Sequence, residues 1–257
     1  DKRTRIDHDL GHDNDNGNDG GIISGSGQGQ PTGILGLGPE KASLISQLGS
    51  KFSYCFGDVL DPQYSHNQLI LGDGAKMEGY STPILVYDGH YYLTLGAISV
   101  GEKRLDIKPH AFTRVLWGKG GVMIDTGTTY TYLARVGFEP LSAEVQNLTT
   151  GLLERVNYDD DDDNPEKLCY KGMVSRDLKG FPVVTYHFAR GADLVLDTSS
   201  MFYQNGPDEF CMAVLLTKHD DDLSIIGMMA QQYYNIAYDL HAMELSFQRI
   251  DCELLQD

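Results

Sequence analysis

Residues 120–133 read GGVMIDTGTTYTYL, and this stretch limits the possible folds more than any other. Val122, Met123 and Ile124 form a short apolar run. Asp125 closes it, and Thr126, Gly127, Thr128 and Thr129 follow. Tyr130, Thr131 and Tyr132, aromatic or β-branched, followed by apolar Leu133, again favour a strand. The pattern predicts strand, tight loop, strand, with one carboxylate in the loop. Gly127 lets the backbone come close to whatever that carboxylate faces. Thr126 and Thr128 carry hydroxyls that can hold it in one orientation. Taken alone, Asp125 has its plainest role as a turn cap. A carboxylate fixed between buried strands is also a candidate acid or base.

The rest of the chain suits a β fold. It has 257 residues, enough for a sizeable core, with 41% hydrophobic and 22% charged residues. Its 29 glycines, and an aromatic set dominated by Tyr and Phe, fit many short strands joined by turns. Acidic residues number 37 against 20 basic ones, a formal net charge of −17. Nucleic acid is therefore excluded as a partner, since binding it requires a basic surface. Much of the excess sits in the runs 159–163 and 220–222, which read as solvated loops. No apolar run approaches the ~20 residues needed to span a bilayer, so no membrane partner is expected. No signal peptide is visible, and the first residue is Asp1, which suits a processed or truncated chain.

Residues 1–30 are rich in Asp, Asn and Gly. The segment 13–21, DNDNGNDGG, invites a calcium-loop comparison, but taking Gly17 as the loop glycine puts Ile23 where a bidentate Glu is required. His8 and His12 are four apart without helical periodicity, so no metal site is expected there. Pro39 suits a helix start, with Leu44, Ile45 and Leu48 on one face and Gly49 ending it. Strands are expected at 52–56, 67–72 and 81–87, and a hairpin with arms 91–100 and 103–107. Val136, Phe138, Leu141, Val145 and Leu148 have helical spacing. Later strands are expected at 183–188, 193–196, 210–216 and 223–226. A short helix at 228–233 and a hairpin of 235–239 with 244–248 complete the chain. Asn147-Leu148-Thr149 has the form of a glycosylation sequon.

Cys55, Cys169, Cys211 and Cys252 have no CxxC spacing, so zinc and thioredoxin-type chemistry are not indicated. Four cysteines allow three pairings, and an even count on a β-rich chain suits an oxidising compartment. GxSxG is absent, which leaves a serine hydrolase without an anchor.

Asp125-Thr126-Gly127-Thr128 after an apolar strand resembles the second active-site motif of pepsin-like aspartic proteases. Other blocks agree, in order along the chain. TGILGLG at 32–38 resembles the segment closing the first lobe's active-site loop. SLISQLGSKFSYCF at 43–56 and HYYLTLGAISVGEKRL at 90–105 resemble the plant, nepenthesin-like group, the latter as its entry into the second lobe. LSIIG at 223–227 resembles the partner of the second Asp loop. At 8–11, His-Asp-Leu-Gly stands where the family often has Phe-Gly-Cys-Gly, so the start of the chain departs from the pattern.

The resemblance implies a mostly β, pepsin-like barrel lobe with a few short helices and an incomplete N-terminal lobe. Residues 1–77 would be a remnant of that lobe and 78–257 the C-terminal lobe. It implies aspartic endopeptidase chemistry, in which two Asp face one water, with no cofactor and no metal. Asp125 would be catalytic and Thr126, Gly127 and Thr128 would support it. Gly127, Thr128 and Thr129 would line the substrate cleft. Residues 1–119 hold no second Asp-Thr/Ser-Gly motif, so the chain carries half an active site and is expected to be inactive alone. Its expected partners are a peptide or protein substrate and the missing N-terminal lobe. The implied disulfides are Cys169–Cys211 and Cys55–Cys252, and the implied location is extracellular, in the apoplast, or vacuolar. Some plant members of this fold bind glycoside hydrolases as inhibitors instead of cutting peptides, which makes a binding protein the alternative, with a gene fragment as the third.

Overall fold

The structure is a computed structural model, and it describes residues 35–41, 43–115, 119–158, 166–218 and 223–255. The expectations for His8, His12, segment 13–21 and the acidic runs 159–163 and 220–222 fall outside these residues. So does part of the first resembling block, 32–38.

Eighteen short strands are found among the described residues, numbered here in chain order. They begin with β1 Lys51–Phe56, β2 Gln68–Leu71, β3 Tyr80–Tyr87, β4 His90–Leu93, β5 Leu95–Val100 and β6 Lys103–Arg104. Next come β7 Val122–Ile124, β8 Thr131–Leu133, β9 Arg155–Val156, β10 Cys169–Lys171, β11 Val184–Phe188 and β12 Asp193–Leu196. The last are β13 Phe202–Gln204, β14 Glu209–Met212, β15 Val214–Leu216, β16 Ser224–Ile226, β17 Tyr234–Asp239 and β18 Glu244–Arg249. A large sheet runs in the order β15-β8-β16-β7-β4-β3-β18-β17-β1-β2. Two four-stranded sheets, β13-β14-β10-β9 and β12-β11-β5-β6, complete the fold. This is the mostly β lobe that the resemblance implies.

Two expected strands each divide into two. Residues 91–100 form β4 and β5, which leave Thr94 between them and join different sheets. Residues 210–216 likewise form β14 and β15, separated at Ala213. Alternating hydrophobicity marks a pleated segment but not the sheet it joins, so a strand that changes sheets reads as continuous. The return arm of the first hairpin is only β6, and Ile107 lies beyond it.

Apart from Arg135–Thr149, the described helices are short. α1, Leu44–Gln47, starts five residues after Pro39, because the Ser43 side chain caps it by accepting from the Ser46 N–H. It stops at Leu48, where Gly49 and Ser50 take positive φ. α2, Arg135–Thr149, buries Phe138, Leu141 and Val145, whereas Val136 and Leu148 at its ends stay exposed. The expected helix at 228–233 is a 3-10 turn over Met228–Gln231.

The large sheet runs through the expected lobe boundary near residue 78 without a break. β1 pairs with β17, and β18 pairs with both β17 and β3. The described residues pack as one compact unit. Phe52 and Tyr238 stack at a centroid separation of 4.3 Å beneath the sheet's centre, with Tyr91 and Tyr54 beside them. The disulfide Cys55–Cys252 ties β1 to the C-terminal 3-10 turn, and Cys169–Cys211 crosses the directly paired strands β10 and β14. Both are the pairs that the resemblance implies.

Candidate active site

Asp125 stands at the C-terminal end of β7, and packing on both faces of the sheet fixes that strand. Val122 and Ile124 point into the main core with Leu133 and Ile226. On the other face Met123 lies in a row with Tyr92 and Ile225, flanked by Tyr132. β7 pairs parallel to β16 on one side and antiparallel to β4 on the other. The Asp125 N–H continues the parallel ladder by donating to the Ile226 carbonyl at 3.1 Å.

Two donors hold the carboxylate. The Gly127 N–H reaches Asp125 Oδ1 at 2.9 Å, and Thr128 Oγ1 donates to Asp125 Oδ2 at 2.6 Å. These are its hydrogen-bond partners among the described residues, one on each oxygen. Asp125 is half-buried and Gly127 is exposed, so the carboxylate stays within reach from outside. The structure thus joins Gly127 and Thr128 to Asp125. It forms no hydrogen bond between Thr126 and the carboxylate. Thr129 meets the site through its carbonyl, which accepts from the Met229 N–H at 3.0 Å.

The loop rests on the turn after β16. Met228 donates its N–H to the Thr128 carbonyl at 2.7 Å. A Cβ on Gly227 would come within 2.0 Å of the Tyr130 carbonyl oxygen and 2.8 Å of that of Thr128. Only glycine lets the two backbones lie this close.

Beneath the loop lies a buried polar chain. Gln231 Nε2 donates to the carbonyls of Ile226 at 2.9 Å and Asp125 at 3.3 Å. Tyr54 donates to Gln231 Oε1 at 2.5 Å, and its hydroxyl lies 3.1 Å from that of Tyr238. Burial pushes the Tyr54 hydroxyl far above its usual value; the Tyr238 hydrogen bond opposes this and the Asp125 charge adds to it. Burial likewise raises Tyr238. Both phenols keep their protons, so Tyr54 remains a donor. Residues 223–227 carry a sequence signal for the partner of the loop. Tyr54, Gln231 and Tyr238 carry none, since their convergence depends on β1, β17 and a 3-10 turn meeting in space.

Two other clusters carry less chemistry. Cys169, Glu209 and Cys211 form the one metal-like group among the described residues, but the disulfide occupies both thiols. Ser99 Oγ lies 2.8 Å from His187 Nε2, and His187 Nδ1 lies 2.8 Å from Asp193 Oδ1. This has the order of a Ser-His-Asp triad. However, β5 is paired on both sides at Ser99, with Thr185 and Arg104, so the ladder takes up the backbone N–H groups that an oxyanion would need. Asn147 of the sequon is exposed on α2, and Thr149 Oγ1 turns inward to the Val145 carbonyl at 2.9 Å.

Comparison with known proteins places this geometry. Residues 90–249 match the family model described as xylanase inhibitor C-terminal. The chain is 34% identical over 238 residues to "Aspartyl protease UND" of Arabidopsis thaliana, covering 87% of this chain and 52% of that protein. It is 30% identical over 237 residues to "Aspartic proteinase nepenthesin-1" of Nepenthes gracilis, covering 89% of this chain and 52% of that one. It therefore spans about half the length of these relatives. Among solved structures it is similar to conglutin gamma, a basic 7S globulin from lupine seeds, with a TM-score of 0.66 and 20% identity. That likeness covers 88% of this chain and 60% of the other, and it shows the fold alone. The chain belongs to the plant, nepenthesin-like family of pepsin-like aspartic proteases, and its sequence matches the C-terminal part of that family.

Proposed function

We propose that Asp125 is one of the two catalytic carboxylates of an aspartic endopeptidase, and that the second is supplied by a lobe outside this chain. The observation that carries this is a half-buried carboxylate with one donor on each oxygen, set at the open end of a parallel strand pair. No other carboxylate is bonded to it among the described residues. Two carboxylates close together cannot both ionise, so one takes a proton. The charged one removes a proton from water, and the protonated one donates a hydrogen bond to the peptide carbonyl. One carboxylate cannot do both at once. In this account residues 1–77 are the tail of the first lobe and 78–257 the second. Gly127, Thr128 and Thr129 form the rim along which a peptide substrate runs, and Thr126 supports the loop. Leu85 and Tyr87, each more than half exposed on β3, are apolar surface for the absent lobe to cover.

Two disulfides and the exposed sequon at Asn147 support an extracellular or vacuolar location, where the bonds persist and Asn147 carries a glycan. The test is to express the chain joined to the coding sequence upstream of Asp1 and assay acid-pH cleavage of a quenched peptide. The expected result is cleavage that Asp125→Asn abolishes. Cleavage untouched by Asp125→Asn would overturn the proposal.

One observation favours a second function. The matching family model is named for xylanase inhibitors, and an inhibitor needs no completed pair of carboxylates. A pepsin-fold binding protein would inhibit a glycoside hydrolase with equal strength in the wild type and in Asp125→Asn.

A further inference from the structure

We infer that Gln231 and Tyr54 are positioning residues for Asp125, acting through its backbone; this deepens the protease proposal and rests on it. Strands β7 and β16 run parallel and end together at Ile124 and Ile226, one residue before Asp125 and Gly227. Beyond that point the ladder between them has one further bond, Asp125 N–H to the Ile226 carbonyl. The Gln231 amide spans the same gap from below and binds the carbonyls of Ile226, which ends β16, and of Asp125, which follows β7. A fully buried amide has no water to exchange with, so its orientation depends on what holds its oxygen. Tyr54 holds it, by donating to Oε1 at 2.5 Å. Tyr54 in turn is fixed by Tyr238, which stacks on Phe52 of the same strand, β1. The chain of contacts therefore runs from β1, through Tyr54 and Gln231, to the backbone that carries the carboxylate. Gly127 and Thr128 orient the side chain of Asp125, and Gln231 sets where that side chain starts. A reacting carboxylate tolerates little displacement, so loosening this anchor slows the chemical step while leaving substrate contacts in place.

The test uses the full 257-residue chain and amide hydrogen exchange in Tyr54→Phe and Gln231→Leu. Tyr54→Phe removes a single oxygen and keeps the packed ring, so it remains informative if Gln231→Leu does not fold. The expected result is exchange at the Asp125 amide at least about tenfold faster, with Tyr186 and Leu194 of the β11–β12 pair unchanged. An unchanged Asp125 amide, or an equal acceleration at all three positions, would overturn the inference. A purely structural loss gives the equal acceleration. In the longer protein, Tyr54→Phe is expected to lower kcat about tenfold with KM nearly constant. An unaltered kcat in an active protein would also overturn the inference. If the wild-type longer protein cleaves nothing, the protease proposal fails, and the exchange result still decides whether Gln231 and Tyr54 hold Asp125.

Discussion

Thr128 donates its hydroxyl to Asp125 at 2.6 Å from three residues along the same loop, so the loop that carries the carboxylate also sets its angle. Thr128→Val keeps the shape and removes the donor. It is expected to cost about 1 kcal/mol of stability and to lower kcat of the longer protein about tenfold or more. Thr128→Ser keeps the hydroxyl and should retain most of the rate. Equal rates for Val and Ser would show that the bond is idle.

Gly227 has an ordinary negative φ, so space and not conformation requires it to be glycine. Gly227→Ala drives a methyl into the Tyr130 carbonyl and forces the loop away from the turn. We expect a loss of about 3 kcal/mol, read as a lower denaturant midpoint with an unchanged slope. A midpoint within error of the wild type would mean that the loop yields freely.

Cys55 and Cys252 are separated by 197 residues, Cys169 and Cys211 by 42. On chain-entropy grounds, removing the first pair costs roughly 5 kcal/mol and the second roughly 4. Double Cys→Ala variants followed by thermal unfolding measure the order. Non-reducing peptide mapping checks the pairing itself, and a Cys55–Cys169 peptide would refute it.

The Asp197 carboxylate gives the fold a specific acid limb. Burial works against its charged form, but hydrogen bonds from Ser199 and Arg249 outweigh this and hold its pKa below the ordinary 3.8. A carboxylate lowered on folding stabilises above its unfolded value, and that contribution fades as pH falls through the folded value. The wild type should therefore exceed Asp197→Asn in stability by its full margin at about pH 6 and lose that margin well below pH 4. A margin independent of pH would contradict this.

Much of this was legible in the sequence where chemistry and pattern are local. Val122–Ile124 ending in Asp125, the helix around Phe138, Leu141 and Val145, and the closing hairpin are set by neighbours a few residues apart. The disulfide pairs came from family resemblance, because four cysteines alone leave three pairings open. The departures are long-range. β4 and β5 divide at Thr94 because the chain changes sheets there, and no residue type marks a sheet change. Thr126 offers a hydroxyl as Thr128 does, but only the loop's path decides which one reaches the carboxylate. Gln231 and Tyr54 lie 177 residues apart in sequence, and nothing near either one announces their bond.

On this reading the chain carries one half of a two-carboxylate site. An acid-pH assay of the 257-residue chain alone, on a quenched peptide library across a concentration series, tests it most directly. The wild type is expected to cleave nothing at any concentration at which the chain is monomeric. Cleavage that rises linearly with concentration and vanishes in Asp125→Asn would contradict it, because a carboxylate within this chain would then be supplying the other half.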